Sequence, residues 1–82
     1  MFEKILRDVL TYFEERLADD DIVVSPQSNL MDDLCLSSLE MLSSLLVLED
    51  NYGITIPEKC LRKILTIEDL ARVLADIAEK KT

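Results

Sequence analysis

Ser37-Ser38-Leu39-Glu40-Met41-Leu42-Ser43-Ser44-Leu45-Leu46-Val47-Leu48-Glu49-Asp50-Asn51-Tyr52-Gly53 is the stretch on which the reading of this chain turns. It opens with the pattern of a capping box: the Ser37 oxygen can accept from the backbone N–H of Glu40, and the Glu40 side chain can reach back. A helix is predicted from there to Tyr52, where Gly53 supplies a left-handed stop. At about 100° per residue, Met41, Leu45, Leu48 and Tyr52 fall on one stripe, whereas Leu39, Leu42 and Leu46 make a second, rotated by roughly 120° from the first. Such a helix either lies centrally in a bundle with both stripes buried, or gives one stripe to the core and the other to a partner. Glu49 and Asp50 flank the second stripe. An apolar strip edged by acids suits a basic partner with an apolar centre.

Upstream, Phe2, Ile5, Leu6, Val9, Phe13 and Leu17 recur at helical spacing with Glu3, Lys4, Arg7, Thr11, Glu14 and Glu15 opposite. An amphipathic first helix over 2–17 follows. It is expected to end near Asp19, Asp20 and Asp21, because acids at a helix C-terminus oppose the dipole and the Ser25-Pro26 pair disfavours further helix. The connection from there to about Ser37 is long for so small a chain, so it must be packed or functional. Ile22, Val23, Leu30, Leu34 and Leu36 are the residues able to pin it to the core. A short strand over 22–24 is the alternative, although no second strand is evident to pair with it.

Downstream, Pro57 can open a short helical segment through about Lys63, since its missing N–H costs nothing in a first turn. Thr66 and Asp69 resemble a weaker cap for a last helix. Its buried stripe is Ile67, Leu70, Ala71, Leu74, Ile77 and Ala78, and Lys80 and Lys81 suit its C-terminal dipole. The order is long helix, long loop, long helix, short helix, final helix, in an all-α chain whose residues 1–82 form a single domain.

Composition narrows the function. With 82 residues, 49% of them hydrophobic, the chain can close one modest core. Nine basic against seventeen acidic residues leave a net charge of −8, which repels phosphate backbones and anionic membranes. Nucleic acid is therefore excluded as a partner. No apolar run approaches the roughly 20 residues that span a bilayer, and the charged first turn is not a signal peptide, so membrane insertion is excluded too. Cys35 and Cys60 form neither a metal-ligand pair nor a disulfide framework, and a reducing cytoplasm fits them. Cys35 reads as a small buried or semi-buried residue. There is no His, so the commonest general base and zinc ligand is missing. The clusters Asp19-Asp20-Asp21 and Asp32-Asp33 lack the ligand spacing and turn Gly of a calcium loop and read as solvated surface. No catalytic residue and no metal site can be nominated. A monomer that is not an enzyme is expected.

Ser38 sits in the first turn of the second helix, where free N–H groups and the positive dipole end favour a phosphate. Such a serine is usually only a cap or its solvated neighbour, and its wider context matters. That context is Asp33-Leu34-Cys35-Leu36-Ser37-Ser38-Leu39-Glu40-Met41, followed by Leu48-Glu49-Asp50-Asn51-Tyr52-Gly53-Ile54-Thr55-Ile56-Pro57. It resembles the acyl carrier protein family, whose usual pattern is Asp-Leu-Gly-Leu-Asp-Ser-Leu-Asp, a helix with acidic last turns, then an aromatic residue and an Ile-x-Ile-Pro-like segment. The resemblance covers nearly the whole chain. It implies an acyl-carrier-like four-helix bundle with a long first loop and a short third helix, in which Ser38 is esterified by 4′-phosphopantetheine. The arm's thiol then holds acyl or related intermediates as thioesters. The implied partners are a phosphopantetheinyl transferase and acyl-loading and acyl-processing enzymes with basic docking surfaces, which meet Leu39, Leu42, Leu46, Glu49 and Asp50.

The chain also departs from that pattern. Ser37 stands where the family carries Asp, and Cys35 where it carries Gly. Ser43 removes an acidic contact, and Ser44 brings a hydroxyl toward any acyl chamber. Lys59, Arg62 and Lys63 against Glu58 make the third helix basic where the family is commonly acidic. These changes point to a specialised fatty-acid, polyketide or related pathway rather than general fatty-acid synthesis. The alternative is a carrier-like interaction module that stays unmodified.

Overall fold

Each helix begins or ends where the local chemistry of the backbone dictates. A computed structural model describes residues 2–18 and 22–81. Its four helices are α1 (Phe2–Arg16), α2 (Ser38–Tyr52), α3 (Glu58–Leu61) and α4 (Ile67–Lys81). The all-helical class and the short third helix therefore stand, while the expected stop of α1 at Asp19, Asp20 and Asp21 lies outside the described residues. Ser37, extended at ψ 165°, caps α2 by accepting from the Glu40 N–H at 3.1 Å. Its carbonyl takes the first helical bond, from Met41 at 2.9 Å. The return bond from the Glu40 side chain is not made among the described residues, so the capping box is half formed. Gly53 ends the helix in the left-handed region at φ 62°, as a residue without Cβ does most readily.

Pro57 stands one position earlier than expected, as the N-cap of α3 rather than its first residue. Thr66 and Asp69 do more than a weak cap. Asp69 N–H donates to the Thr66 hydroxyl at 3.1 Å, while the Asp69 carboxylate accepts from the N–H groups of Thr66 and Leu65 at 3.1 and 3.2 Å. The remaining free N–H groups at the start of α4 go to the long loop. Ile67 donates to the Ser28 carbonyl at 3.2 Å and Glu68 to that of Pro26 at 2.9 Å. In return Leu30 donates to Leu65 at 2.9 Å, and Asn29 and Thr66 form an isolated antiparallel bridge. The loop over 25–36 is thus the N-terminal cap of the last helix. The short strand considered over 22–24 is absent; the extended pairing lies at Asn29.

Within the loop, the Asn29 side-chain oxygen accepts from the Met31 and Asp32 N–H groups at 3.0 and 2.9 Å, and the Asn29 backbone N–H donates to the Asp33 carboxylate at 2.7 Å. This turn drives Leu30, Leu34 and Leu36 into the core. They join Ile5, Val9, Phe13 and Leu17 of the first segment, Leu45 and Leu48 of α2, and Ile67, Leu70, Ala71 and Leu74 of α4. Ile22 is half-buried against this cluster. Val23 is not a pin: it is 85% exposed, because its neighbours Ile22 and Val24 take the inward positions. The closest helix pairing is α1 along α4.

The two stripes of α2 separate in space. Leu45 and Leu48 are buried and Met41 and Tyr52 half-buried, whereas Leu39, Leu42 and Leu46 are 74%, 48% and 58% exposed. Leu45→Ala is accordingly expected to cost roughly 2–5 kcal/mol, while Leu46→Glu shifts stability by about 0.5 kcal/mol or less. Urea unfolding of the two variants checks this, and comparable losses would mean that the outer stripe is also core.

Tyr52 joins the end of α2 to α1 by donating its hydroxyl to Asp8 at 2.9 Å. Burial, and then the hydrogen bond to Asp8 and its charge, push the phenol up from 10.0 to about 12. A folded-state pKa above the unfolded one means stabilisation that is complete below pH 10 and disappears as pH rises toward 12. The stability advantage of the native chain over Tyr52→Phe is therefore expected to shrink between pH 10 and 12. Denaturant titrations of both proteins at pH 9 and pH 12 measure it, and a constant difference would rule the linkage out.

Candidate functional site

The start of α2 presents Ser38 as the first helical residue, with its side chain exposed. The Glu40 and Met41 N–H groups are taken by the Ser37 cap. Those of Ser38 and Leu39 have no partner among the described residues, and such N–H groups at a helix start attract anions. Beside Ser38 lies an open apolar cleft of about 170 Å³ lined by Met41, Leu42, Leu45 and, from α3, Leu61. An exposed hydroxyl, an electropositive helix end and an apolar recess therefore meet at one point. This combination suits a group attached through a phosphate and ending in an apolar cargo.

Cys35, three residues upstream, corrects the sequence reading. It is exposed rather than buried, and its backbone is left-handed at φ 57°. The turn centred on Asn29 ends there: Asp33 and Leu34 both donate to the Asn29 carbonyl, at 2.9 and 3.1 Å, and the chain must then reverse to bury Leu36 and set Ser37 as cap. A residue with a Cβ pays roughly 1–2 kcal/mol for this conformation. Its thiol lies 3.9 Å from the Asp32 carbonyl, a weak contact at best.

Ser44 is buried, and its hydroxyl donates to the Glu40 carbonyl one turn back at 3.0 Å. That bond satisfies it inside its own helix, and it does not line the cleft. Ser43 is exposed. Leu39, Leu42 and Leu46 share the outward face of α2, and Leu46 lines a shallow groove with Glu49, Asp50, Gly53, Ile54 and Thr55. Asp50 is exposed. Glu49 is half-buried and accepts the Ile56 N–H at 2.6 Å, fastening the segment after α2 back onto it. Val47, at 42% exposure, widens the apolar face. The stripe pattern missed it because it belongs to neither run of three-and-four spacing.

Among the described residues no group of His, Cys, Asp and Glu side chains is arranged to hold a metal ion. Likewise no helix is long and apolar enough to cross a membrane. Cys35 and Cys60 are both free thiols.

No family model matches the chain. Among curated proteins, the acyl carrier protein of Rubrobacter xylanophilus is 31% identical over 67 residues, covering 82% of this chain and 83% of that protein. The acyl carrier protein of Helicobacter pylori strain 26695 is 26% identical over 72 residues, covering 88% of this chain and 92% of its own.

The left-handed strain at Cys35 has a measurable consequence. Cys35→Gly removes the Cβ but adds freedom to the unfolded chain, so a net gain of up to about 1 kcal/mol is expected, whereas the β-branched Cys35→Val destabilises. Thermal unfolding of the two variants tests this, and equal stabilities would show that the turn relaxes without cost.

Proposed function

Because the chain belongs to the acyl carrier protein family, we propose that it carries acyl or related intermediates as thioesters on a 4′-phosphopantetheine arm at Ser38. The observation that carries this reading is the exposed Ser38 hydroxyl at the start of α2, next to an apolar cleft. The residues fit the group: the unpartnered Ser38 and Leu39 N–H groups suit a phosphodiester, and Met41, Leu42, Leu45 and Leu61 offer apolar surface to the cargo. When bound, the arm supplies a thiol for thioester formation. The chain's own part is to display a hydroxyl at a fixed helix start, to shelter the apolar end of the cargo, and to dock. Catalysis, and the divalent metal for attaching the arm, belong to the phosphopantetheinyl transferase.

Docking in this reading runs through Leu39, Leu42 and Leu46, which leave a large apolar face in water. Glu49 and Asp50 mark its acidic end. Since Glu49 already accepts from Ile56, Asp50 is the freer charge for a basic residue of a loading or processing enzyme. The protein works in the cytoplasm as a monomer, in a specialised fatty-acid, polyketide or related pathway. Ser37 in place of the family's Asp favours a second reading. Its hydroxyl serves as a helix cap and brings no charge, so an unmodified interaction module would keep the same fold.

Intact-mass measurement after co-expression with a broad-range phosphopantetheinyl transferase separates the two. A mass gain equal to the arm, abolished by Ser38→Ala, is expected. No gain, or one that survives the substitution, would overturn the carrier reading.

A further inference from the structure

Three of the nine basic residues of this acidic chain, Lys59, Arg62 and Lys63, fall on or just after α3, beside the lone acid Glu58. All four are exposed. The ion pair found among the described residues is Arg72 with Glu68 at 2.6 Å, so the three cations are not neutralised there. They line an open groove of about 460 Å³ with Glu58. That groove shares no lining residue with the cleft at Ser38. A protein partner is the occupant that suits them.

Leu61, on the same turn of helix, lines the cleft together with Leu42. The cations therefore border the exposed apolar face of α2, while Asp50 and Glu49 border it at the far end, beside Leu46. A partner whose docking face were basic throughout would meet like charge at α3, and like charges opposed across an interface select against that partner.

We propose that α3 is the cationic edge of the docking surface, and that the enzymes this protein serves present carboxylates opposite Lys59, Arg62 and Lys63. Their basic residues face Asp50 instead, so a single orientation matches both ends. The inference rests on the docking part of the function proposed above, and it names the partner's charge pattern.

The test uses two probes: a bacterial condensing enzyme with a basic carrier-docking face, and the same enzyme with only the basic residues that meet α3 reversed to Glu, those opposite Asp50 being kept. Binding of the full chain to each is measured by surface plasmon resonance at low and raised salt. The native chain is expected to prefer the acid-faced enzyme by about tenfold, and Lys59→Glu/Arg62→Glu/Lys63→Glu to reverse the preference, with both effects shrinking as salt screens the charges. Preference of the native chain for the basic face, or an unchanged ratio in the triple variant, overturns the proposal. If circular dichroism shows that the Glu variant loses helix, Lys59→Gln/Arg62→Gln/Lys63→Gln is used, and its ratio must fall toward one. Both chains are assayed without the arm, so the ratio reads the charge match alone. Failure of the arm to attach would thus sink the carrier reading alone, and loss of charge preference this one alone.

Discussion

The pairing of residues 26–30 with 65–68 is the constraint on which the rest of this fold depends. A helix start leaves N–H groups that its own backbone cannot satisfy. At α4 they are met by the carbonyls of Ser28 and Pro26 and by the Thr66 hydroxyl. The same bonds fix the long loop, so Leu30, Leu34 and Leu36 enter the core in register. Their burial sets the position of Ser37, and Ser37 sets the start of α2. The exposed serine is placed by a chain of local necessities that begins some thirty residues downstream of it, at the other end of the bundle's sequence.

Much of this was legible in the sequence because it is local. The Ser37 cap, the Gly53 stop and the split of α2 into an inner and an outer stripe depend on spacing within a few turns, and spacing is what a sequence records. The reading of Ser38 as a residue of the first helical turn follows from the same cap. The resemblance to acyl carrier proteins added expectations that spacing cannot supply, namely a prosthetic arm and partner enzymes.

What stayed hidden was non-local or conformational. No pattern announces that Asn29 meets Thr66, since a single bridge requires no alternation of residues. Val23 looked like an anchor because it is apolar, yet its two neighbours occupy the inward positions. Cys35 looked buried because cysteine usually is, but the turn needs a left-handed residue there and turns its side chain to solvent. Asp69 seemed a weak cap because only one of its partners, Thr66, is implied by sequence spacing.

The smallness of α3 sets how the cleft beside Ser38 behaves. One turn of helix is far too short to hold itself together, and none of its four residues is fully buried. Its flanks are anchored instead, by Ile56 donating to Glu49 on one side and by buried Ile64 on the other. Of the two walls of the recess, the one on α2 is rooted in the core through Leu45, and the one on α3 is the half-buried Leu61, on a single turn held at both ends. Widening the recess would therefore cost less at Leu61 than at Leu45, whose displacement would open the close-packed core.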